Sequence, residues 1–376
     1  MYNRSSSERY TTKIVYFKFS PYDYKNMTIV KDNELKNIIA YKSNPIRNNM
    51  KFYSSCWDII IKKWLRENKY QTYYINMLNP RNPDYYMAEN GYVIKVGSTK
   101  YTDRLNCFLS NKATLVDCAG NLDIFPETHL ISSISNISAL ADLISQKKWI
   151  LKLEDGSSAK DVHIINTVDD FNIIKNPINC NKRWVLQEYI CNPMLLFGKY
   201  KFHLRSHTII LNGKVHVFNS CDVLAATHVY NNADFTDIKS HITNVAVNKF
   251  SENHRTYISN EFPEIHCLMS EVYKLIEKSF VLPKKEYKQI KYDGWNLFGI
   301  LAHDILVDEN GRLYLLEINN SPGMYKLEQM TERYEANIKK FISGMFNIFI
   351  SGADQSFITL SKRLPKNYLN YTWRNF

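Results

Sequence analysis

The chain has 376 residues, 45% of them hydrophobic and 23% charged, which excludes a disordered or fibrous protein and allows two or three packed subdomains. Lysine plus arginine outnumber aspartate plus glutamate by 48 to 37, a formal net charge of +11. Such a surface draws nucleotides, nucleic acid, anionic membranes or acidic protein tails, and charge alone does not choose among them.

The opening stretch, MYNRSSSERYTTK, has no apolar signal core. Lys13 to Phe19 reads as a first strand, rich in β-branched and aromatic residues. Ser54 to Glu67 places Trp57, Ile60, Ile61 and Leu65 at a helical period. The polar, Asn- and Pro-rich stretch from Asn79 to Asn90 reads as a loop. Leu105 to Leu115 and Ser138 to Ser145 read as helices on either side of a turn at Pro126. Trp149 to Leu153 and Trp184 to Ile190 are short apolar runs suited to buried strands. Phe202 to Leu211 and Lys214 to Phe218 form a hairpin around Asn212-Gly213, a pair that tolerates positive φ. Pro263 to Phe280 is helical, with Ile265, Met269, Val272, Leu275 and Ile276 on one face. A second hairpin runs through Gly299 to Val307 and Arg312 to Ile318. An amphipathic helix follows from Met330 to Ile350, and what lies beyond Ser351 reads as a surface tail or a packed extension.

Phe341 to Ile350 is the longest late apolar stretch and falls far short of the ~20 residues that span a bilayer. Cys56, Cys107, Cys118, Cys180, Cys191, Cys221 and Cys267 form no C-x-x-C pair, and their odd number argues against a complete disulfide framework. The expectation is a soluble, cytoplasmic protein with reduced thiols and no membrane partner. No G-x-G-x-x-G follows a predicted strand, which disfavours a Rossmann fold. The layout is α+β, with antiparallel strands late in the chain.

The second hairpin carries the chemistry. With Asn310-Gly311 at the two central turn positions, Glu309 pairs with Arg312, and counting outward sets Asp304 opposite Glu317. Directly opposed side chains have Cβ atoms roughly 4.5–5.5 Å apart. Asn319 stands two residues beyond Glu317 and projects from the same face. Two carboxylates that close repel unless a cation joins them. Magnesium suits the oxygen donors of Asp304, Glu317 and Asn319, completing its shell with water and substrate phosphates. His203, His207, His216 and His241 lack zinc-site spacing and read as core or surface histidines.

At these residues the chain resembles the tubulin–tyrosine-ligase-like family of ATP-grasp enzymes: Asp304 on one strand, then Glu317-x-Asn319-x-Ser-Pro-Gly on the next, match its metal-binding signature. Upstream, the run from Leu105 through Lys112 to Leu115 and the segment Phe125-Pro126-Glu127-Thr128 are similar to the family's lysine-led helix and F-P-x-T segment. Further matches follow in family order at Lys152, at Gly156-Ser157-Ser158-Ala159-Lys160, and at Gln187-Glu188-Tyr189-Ile190. Lys201 to Arg205, then His241 to Asn244 with Lys249, complete the set, and the blocks together cover about residues 100–325.

The resemblance implies an ATP-grasp fold with two β-layered lobes around ATP and a smaller N-terminal α/β subdomain. Its divisions would be 1–110, a central lobe at 111–187, a C-terminal lobe at 188–350 and a tail at 351–376. It implies ATP and Mg2+ as cofactors, with Asp304, Glu317 and Asn319 holding the metal. Lys152 and Arg205 would offset phosphate charge, with Gly156, Ser157, Ser158 and Lys160 forming a phosphate loop. Gln187, Glu188, Tyr189 and Ile190 would line adenine, while Lys201, His203, Thr243 and Asn244 contact the nucleotide or the incoming amino acid. The implied reaction joins a free amino acid to a protein carboxylate through an acyl phosphate, with an acidic tail such as that of tubulin as partner.

The chain also departs from the family. His203 replaces the aspartate of K-F-D-[IL]-R, Ala225-Ala226-Thr227 stands where relatives carry an arginine, and Ala302 replaces a usual glycine. These changes keep two other readings open. One is a nucleotide-binding pseudoenzyme acting as an interaction module; the other, resting on charge alone and not favoured, is a protein that binds or modifies nucleic acid.

Overall fold

The computed structural model describes residues 71–76, 83–89, 92–96, 108–131, 137–156, 161–170, 182–211, 213–248, 256–282, 298–320, 322, 331–365 and 368. The expected strand at Lys13 to Phe19 and the expected helix at Ser54 to Glu67 lie outside these residues, as do Ser157, Ser158, Lys160 and Lys249.

The first described elements are β1 (Gln71–Asn76), β2 (Pro83–Glu89) and β3 (Tyr92–Val96), an antiparallel meander. Strand β2 corrects the loop expected from Asn79 to Asn90: inside the polar flanks sit Tyr85, Tyr86 and Met87, and aromatic residues favour a pleated strand. The helix expected from Leu105 to Leu115 is also corrected over its described part, which begins at Phe108. Phe108–Ser110 is a single 3-10 turn, and α1 (Lys112–Ala119) starts afresh. Asn111 breaks the run because its extended backbone lets its side chain cap the helix, accepting from the Thr114 amide at 2.8 Å.

A four-stranded antiparallel sheet follows, in the order β4 (Thr128–Ile131), β7 (Trp184–Glu188), β5 (Trp149–Leu153), β6 (Val162–Ile165). Strand alternation sorts its side chains. Trp149, Leu151, Leu153, Trp184 and Leu186 form a core with Ile144 of α2 (Ile137–Gln146). Lys152 and Gln187 therefore emerge on the opposite face.

The larger sheet has seven strands among the described residues. Its path is β11 (Thr256–Ile258), β10 (Lys214–Ala225), β9 (Tyr200–Leu211), β12 (Phe298–Val307), β13 (Leu313–Asn320); β8 (Leu195–Leu196) joins β9, and β14 (Phe357–Arg363) joins β10. The β9–β10 turn matches its expectation, with Leu211 paired to Lys214 and Gly213 at φ +79°. A side chain at Gly213 would also meet the Leu364 carbonyl. Along β9, Phe202, Leu204 and Ile210 enter a core shared with Val272, Leu275 and Ile276 of α3 (Met269–Ser279). Lys201, His203, Arg205 and His207 alternate onto the other face.

One end of that charged face is covered by α4 (Glu332–Ser351), whose Phe341 ring lies 5.3 Å from His207. The described residues beyond Ser351 form a packed extension: β14 pairs with β10, and Leu360, Leu364 and Tyr368 are buried. No helix of the described residues is long and apolar enough to cross a membrane.

The β12–β13 register corrects one expectation while keeping its consequence. The turn has three residues, Glu309, Asn310 and Gly311: Asp308 N–H donates to the Arg312 carbonyl at 3.0 Å, and Gly311 has φ +80°. Glu309 therefore does not pair with Arg312, and Val307 pairs with Leu313. A bulge follows, in which Leu316 is the extra residue between the pairs Ile305–Leu315 and Asp304–Glu317. The longer turn shifts the register by one residue and the bulge shifts it back.

Candidate functional site

Strand pairing lays a charged row across four strands of the large sheet. Asp222 on β10 pairs with Arg205 on β9, Arg205 with Asp304 on β12, and Asp304 with Glu317 on β13. Arg205 donates from Nε and Nη2 to the two oxygens of Asp304, each at 2.8 Å. Asn319 Nδ2 donates to Asp304 Oδ2 at 2.9 Å and to Glu317 Oε1 at 3.2 Å. The three groups expected to meet do meet.

Their charges are partly balanced by side chains. Lys112 Nζ lies 3.1 Å from Glu317 Oε2 and donates to the Gly156 carbonyl at 2.8 Å. Burial by itself would raise the Glu317 carboxyl; Lys112, Lys152 and Arg205 outweigh it and hold the group well below the usual carboxylate range. Burial likewise works against the Arg205 charge, and Asp304 more than restores it.

The sequence by itself assigns Lys112 no role in the site. A signal existed: a cation at the first position of a helix opposes the macrodipole, so an anion nearby is needed to justify it. Its helix is fixed from below by Glu154, which accepts from Asn111 Nδ2 at 3.2 Å and from Arg183 Nε at 3.1 Å.

Lys152 rises from the inner face of β5. Its Nζ donates to Gln187 Oε1 at 2.8 Å, and Gln187 Nε2 donates to Thr128 Oγ1 at 3.1 Å. Thr128 donates in turn to the Pro126 carbonyl at 2.7 Å. The F-P-x-T segment and Gln187 thus aim one lysine, a role that the sequence left undivided among separate motifs. Burial pushes Lys152 down to about 8, with Glu317 opposing. Lys201 is also buried, its Nζ 3.8 Å from the Tyr189 ring centroid and 5.7 Å from that of Tyr230. Burial pushes it down to about 7. Among the described residues neither lysine forms an ion pair with a carboxylate, an arrangement that favours an incoming anion.

Lys201 has a consequence for stability. The unfolded side chain keeps its proton up to an ordinary value of 10.5, while the folded one releases it near 7. Between those values the unfolded chain binds more protons, so stability should rise with pH across that window. Chemical denaturation of Lys201→Met should show a shallower rise than wild type between about pH 7 and pH 9. Equal slopes would mean that Lys201 is not charged at a cost in the folded protein.

Around Lys201 the aromatic groups interlock. His241 Nε2 lies 2.7 Å from the Asp234 carbonyl and must donate, which leaves Nδ1 to accept from the Tyr189 hydroxyl at 2.7 Å. Phe235 stacks on His241 with centroids 4.6 Å apart. Of the four expected adenine-side residues, Gln187 turns to Lys152, Tyr189 covers Lys201, Glu188 pairs with Lys147 at 3.2 Å, and Ile190 is half-buried.

His203 shares its buried face with Arg205, its Nδ1 2.6 Å from Thr243 Oγ1. The Asn244 carbonyl accepts from the amides of Val247 and Asn248, so the backbone of Asn244 serves a short helical turn. Thr227 is engaged by Asn248, its hydroxyl donating to Oδ1 at 2.7 Å, and Ala225 and Ala226 are buried. The other expected core histidines each have a partner: His207 Nε2 donates to Asp222 at 3.0 Å, and His216 Nδ1 meets Thr359 at 2.9 Å.

Among the described residues, no three His, Cys, Asp or Glu side chains form a group placed to hold a metal ion. A hard divalent ion does not require three such side chains, because magnesium is commonly held by one or two carboxylates plus phosphates and water. Asp304, Glu317 and Asn319 fit that kind of partial donor set.

The sequence model described as Tubulin-tyrosine ligase family matches residues 86–356. Among curated proteins, the chain is similar to a tubulin polyglutamylase of Caenorhabditis elegans, 24% identical over 47% of this chain and 29% of that protein. It is similar to a probable alpha-tubulin polyglutamylase of Tetrahymena thermophila, 24% identical over 54% of each. A protein polyglycylase of Rattus norvegicus is 24% identical over 54% of this chain and 35% of its own length. The match thus spans at most 54% of the length of these relatives.

Proposed function

The chain belongs to the tubulin-tyrosine ligase family, and on that footing we propose that it is an ATP- and magnesium-dependent ligase of the ATP-grasp kind, joining an amino acid to a protein carboxylate. The observation that carries this reading is the meeting of Asp304, Glu317 and Asn319 on one sheet face, within the electrostatic reach of Lys152, a buried lysine held by Gln187.

Asp304, Glu317 and Asn319 would hold the magnesium, which when bound supplies charge neutralisation for the triphosphate. Lys152 and Lys201 give the phosphates buried positive charge, and Gln187 keeps Lys152 aimed. Arg205 spends Nε and Nη2 on Asp304, leaving Nη1 to reach toward the transferred phosphoryl group. The terminal phosphoryl group passes to the carboxylate, giving ADP and an acyl phosphate. The amine then attacks the acyl carbon, the C–O bond to phosphate breaks, and amide and inorganic phosphate leave. Catalysis of this type rests on positioning and electrostatics, with water kept from the acyl phosphate. Gly156 to Lys160, tied at Gly156 to Lys112, forms the phosphate-side loop in this reading.

The net charge of +11 suits an acidic tail, and the relatives' names point to tubulin as the acceptor. Incubation with ATP, Mg2+ and each amino acid on acidic tail peptides, read by mass spectrometry, should show one peptide gaining one residue mass with release of ADP and phosphate. Nucleotide binding without mass gain for any amino acid would instead favour the interaction-module reading, which His203 and the buried Ala225 motivate.

A further inference from the structure

The proposed mechanism gives no part to His241, a buried histidine beside Lys201. Tyr189 touches both residues. Its ring centroid lies 3.8 Å from Lys201 Nζ, and its hydroxyl donates to His241 Nδ1 at 2.7 Å.

The direction of that bond follows from the histidine tautomer. His241 Nε2 donates to the Asp234 carbonyl at 2.7 Å, so a neutral ring offers only Nδ1 as an acceptor. Burial lowers the His241 pKa, which keeps the ring neutral. A phenol that donates a hydrogen bond gains electron density, and its ring face then attracts a cation more strongly. The ring is also braced in place. Phe235 packs edge-on against Tyr189 at 5.4 Å and stacks on His241 at 4.6 Å. Lys148, just ahead of β5, sits 4.1 Å from the Phe235 centroid and donates to the Asn232 carbonyl at 3.0 Å. The support thus starts at the small sheet and ends at a buried ammonium of the large one.

We infer that His241 is a positioning residue for Lys201: through the Tyr189 hydroxyl it fixes the ring that holds the ammonium, and so fixes where a nucleotide anion meets that charge. Among the described residues Lys201 forms no ion pair with a carboxylate, so the Tyr189 face, with Tyr230 farther off at 5.7 Å, steadies the charge until an anion arrives. The inference rests on the reading of Lys201 as a cation of the nucleotide site.

ADP without Mg2+ is the probe, titrated into the full chain by calorimetry. Tyr189→Phe keeps the ring and removes the bond to His241, and it should weaken ADP binding about tenfold. His241→Leu should do the same. His241→Asn offers an amide oxygen in place of Nδ1 and should return the affinity to within about threefold of wild type. In a Lys201→Met background, Tyr189→Phe should cost nothing further, because its effect passes through the ammonium. Equal losses in both backgrounds, or wild-type affinity in Tyr189→Phe, would overturn the inference and leave the ligase reading intact. Nitrogen NMR of the wild type tests the same point without a variant: His241 should carry its proton on Nε2, and a proton on Nδ1 would overturn the inference. ADP that does not bind the wild type, with or without Mg2+, would overturn the ligase reading as well.

Discussion

Arg205→Met is expected to destabilise the protein by about 3–5 kcal/mol, the usual consequence of leaving a buried charge without its partner. Asp304 is 3% exposed, and both its oxygens depend on the guanidinium. Removing Arg205 leaves that carboxylate with Asn319 Nδ2 at 2.9 Å and the more distant His203. The double variant Arg205→Met, Asp304→Asn should recover most of the loss, because no buried ion is then stranded. Urea denaturation of the wild type, both single variants and the double variant closes a thermodynamic cycle. A coupling below about 1 kcal/mol would mean that the pair is not what balances Asp304. Magnesium with nucleotide should raise the melting temperature of Arg205→Met more than that of the wild type, since a bound ion would take over part of the lost charge balance.

Glu317→Gln separates function from folding in the opposite way. Glu317 is more exposed than Asp304, its side chain at 20%, and the replacement keeps one oxygen, enough for Lys112 or Asn319 but not for both. Stability should fall, but by less than in Arg205→Met, because this site is more open to solvent. ATP-dependent ADP release should fall about 100-fold or more, because a neutral amide supplies no negative charge for the ion between protein and phosphates. Nucleotide titrations with and without Mg2+ would locate the loss: the variant should keep its magnesium-independent affinity and lose the magnesium-dependent increment. ADP release near the wild-type rate would remove Glu317 from the metal site and, with it, the main support for the ligase proposal.

The two variants differ because two neighbouring carboxylates are held differently. Asp304 is gripped by a planar, two-bond guanidinium on an adjacent strand, a structural contact. Glu317 is held by the flexible ammonium of Lys112, which also holds the Gly156 carbonyl. That single ammonium joins the acidic cluster, α1 and the backbone at Gly156, where the proposed phosphate loop begins. A change at Glu317 should thus be felt at Gly156, whereas a change at Asp304 should be felt in the sheet.

Some of this was legible in residue order. Side chains two apart on a strand share a face, so Glu317 and Asn319 had to project together, and the alternation along β9 put Lys201, His203 and Arg205 on one side of an apolar core. The helices of residues 137–146 and 332–351 followed from periodicity for the same local reason. What sequence could not supply was the identity of partners distant along the chain. Nothing local to Lys112 or Arg205 says that one will meet Glu317 and the other Asp304, or that Thr128 and Gln187 will aim Lys152. Even the opposition of Asp304 and Glu317 was reached by a two-residue turn that the protein does not make; a longer turn and a bulge cancel. Local sequence determined which face each side chain takes, because backbone geometry repeats every two or 3.6 residues. The tertiary fold decided which charges face one another, because that depends on how the sheets, turns and α1 come together.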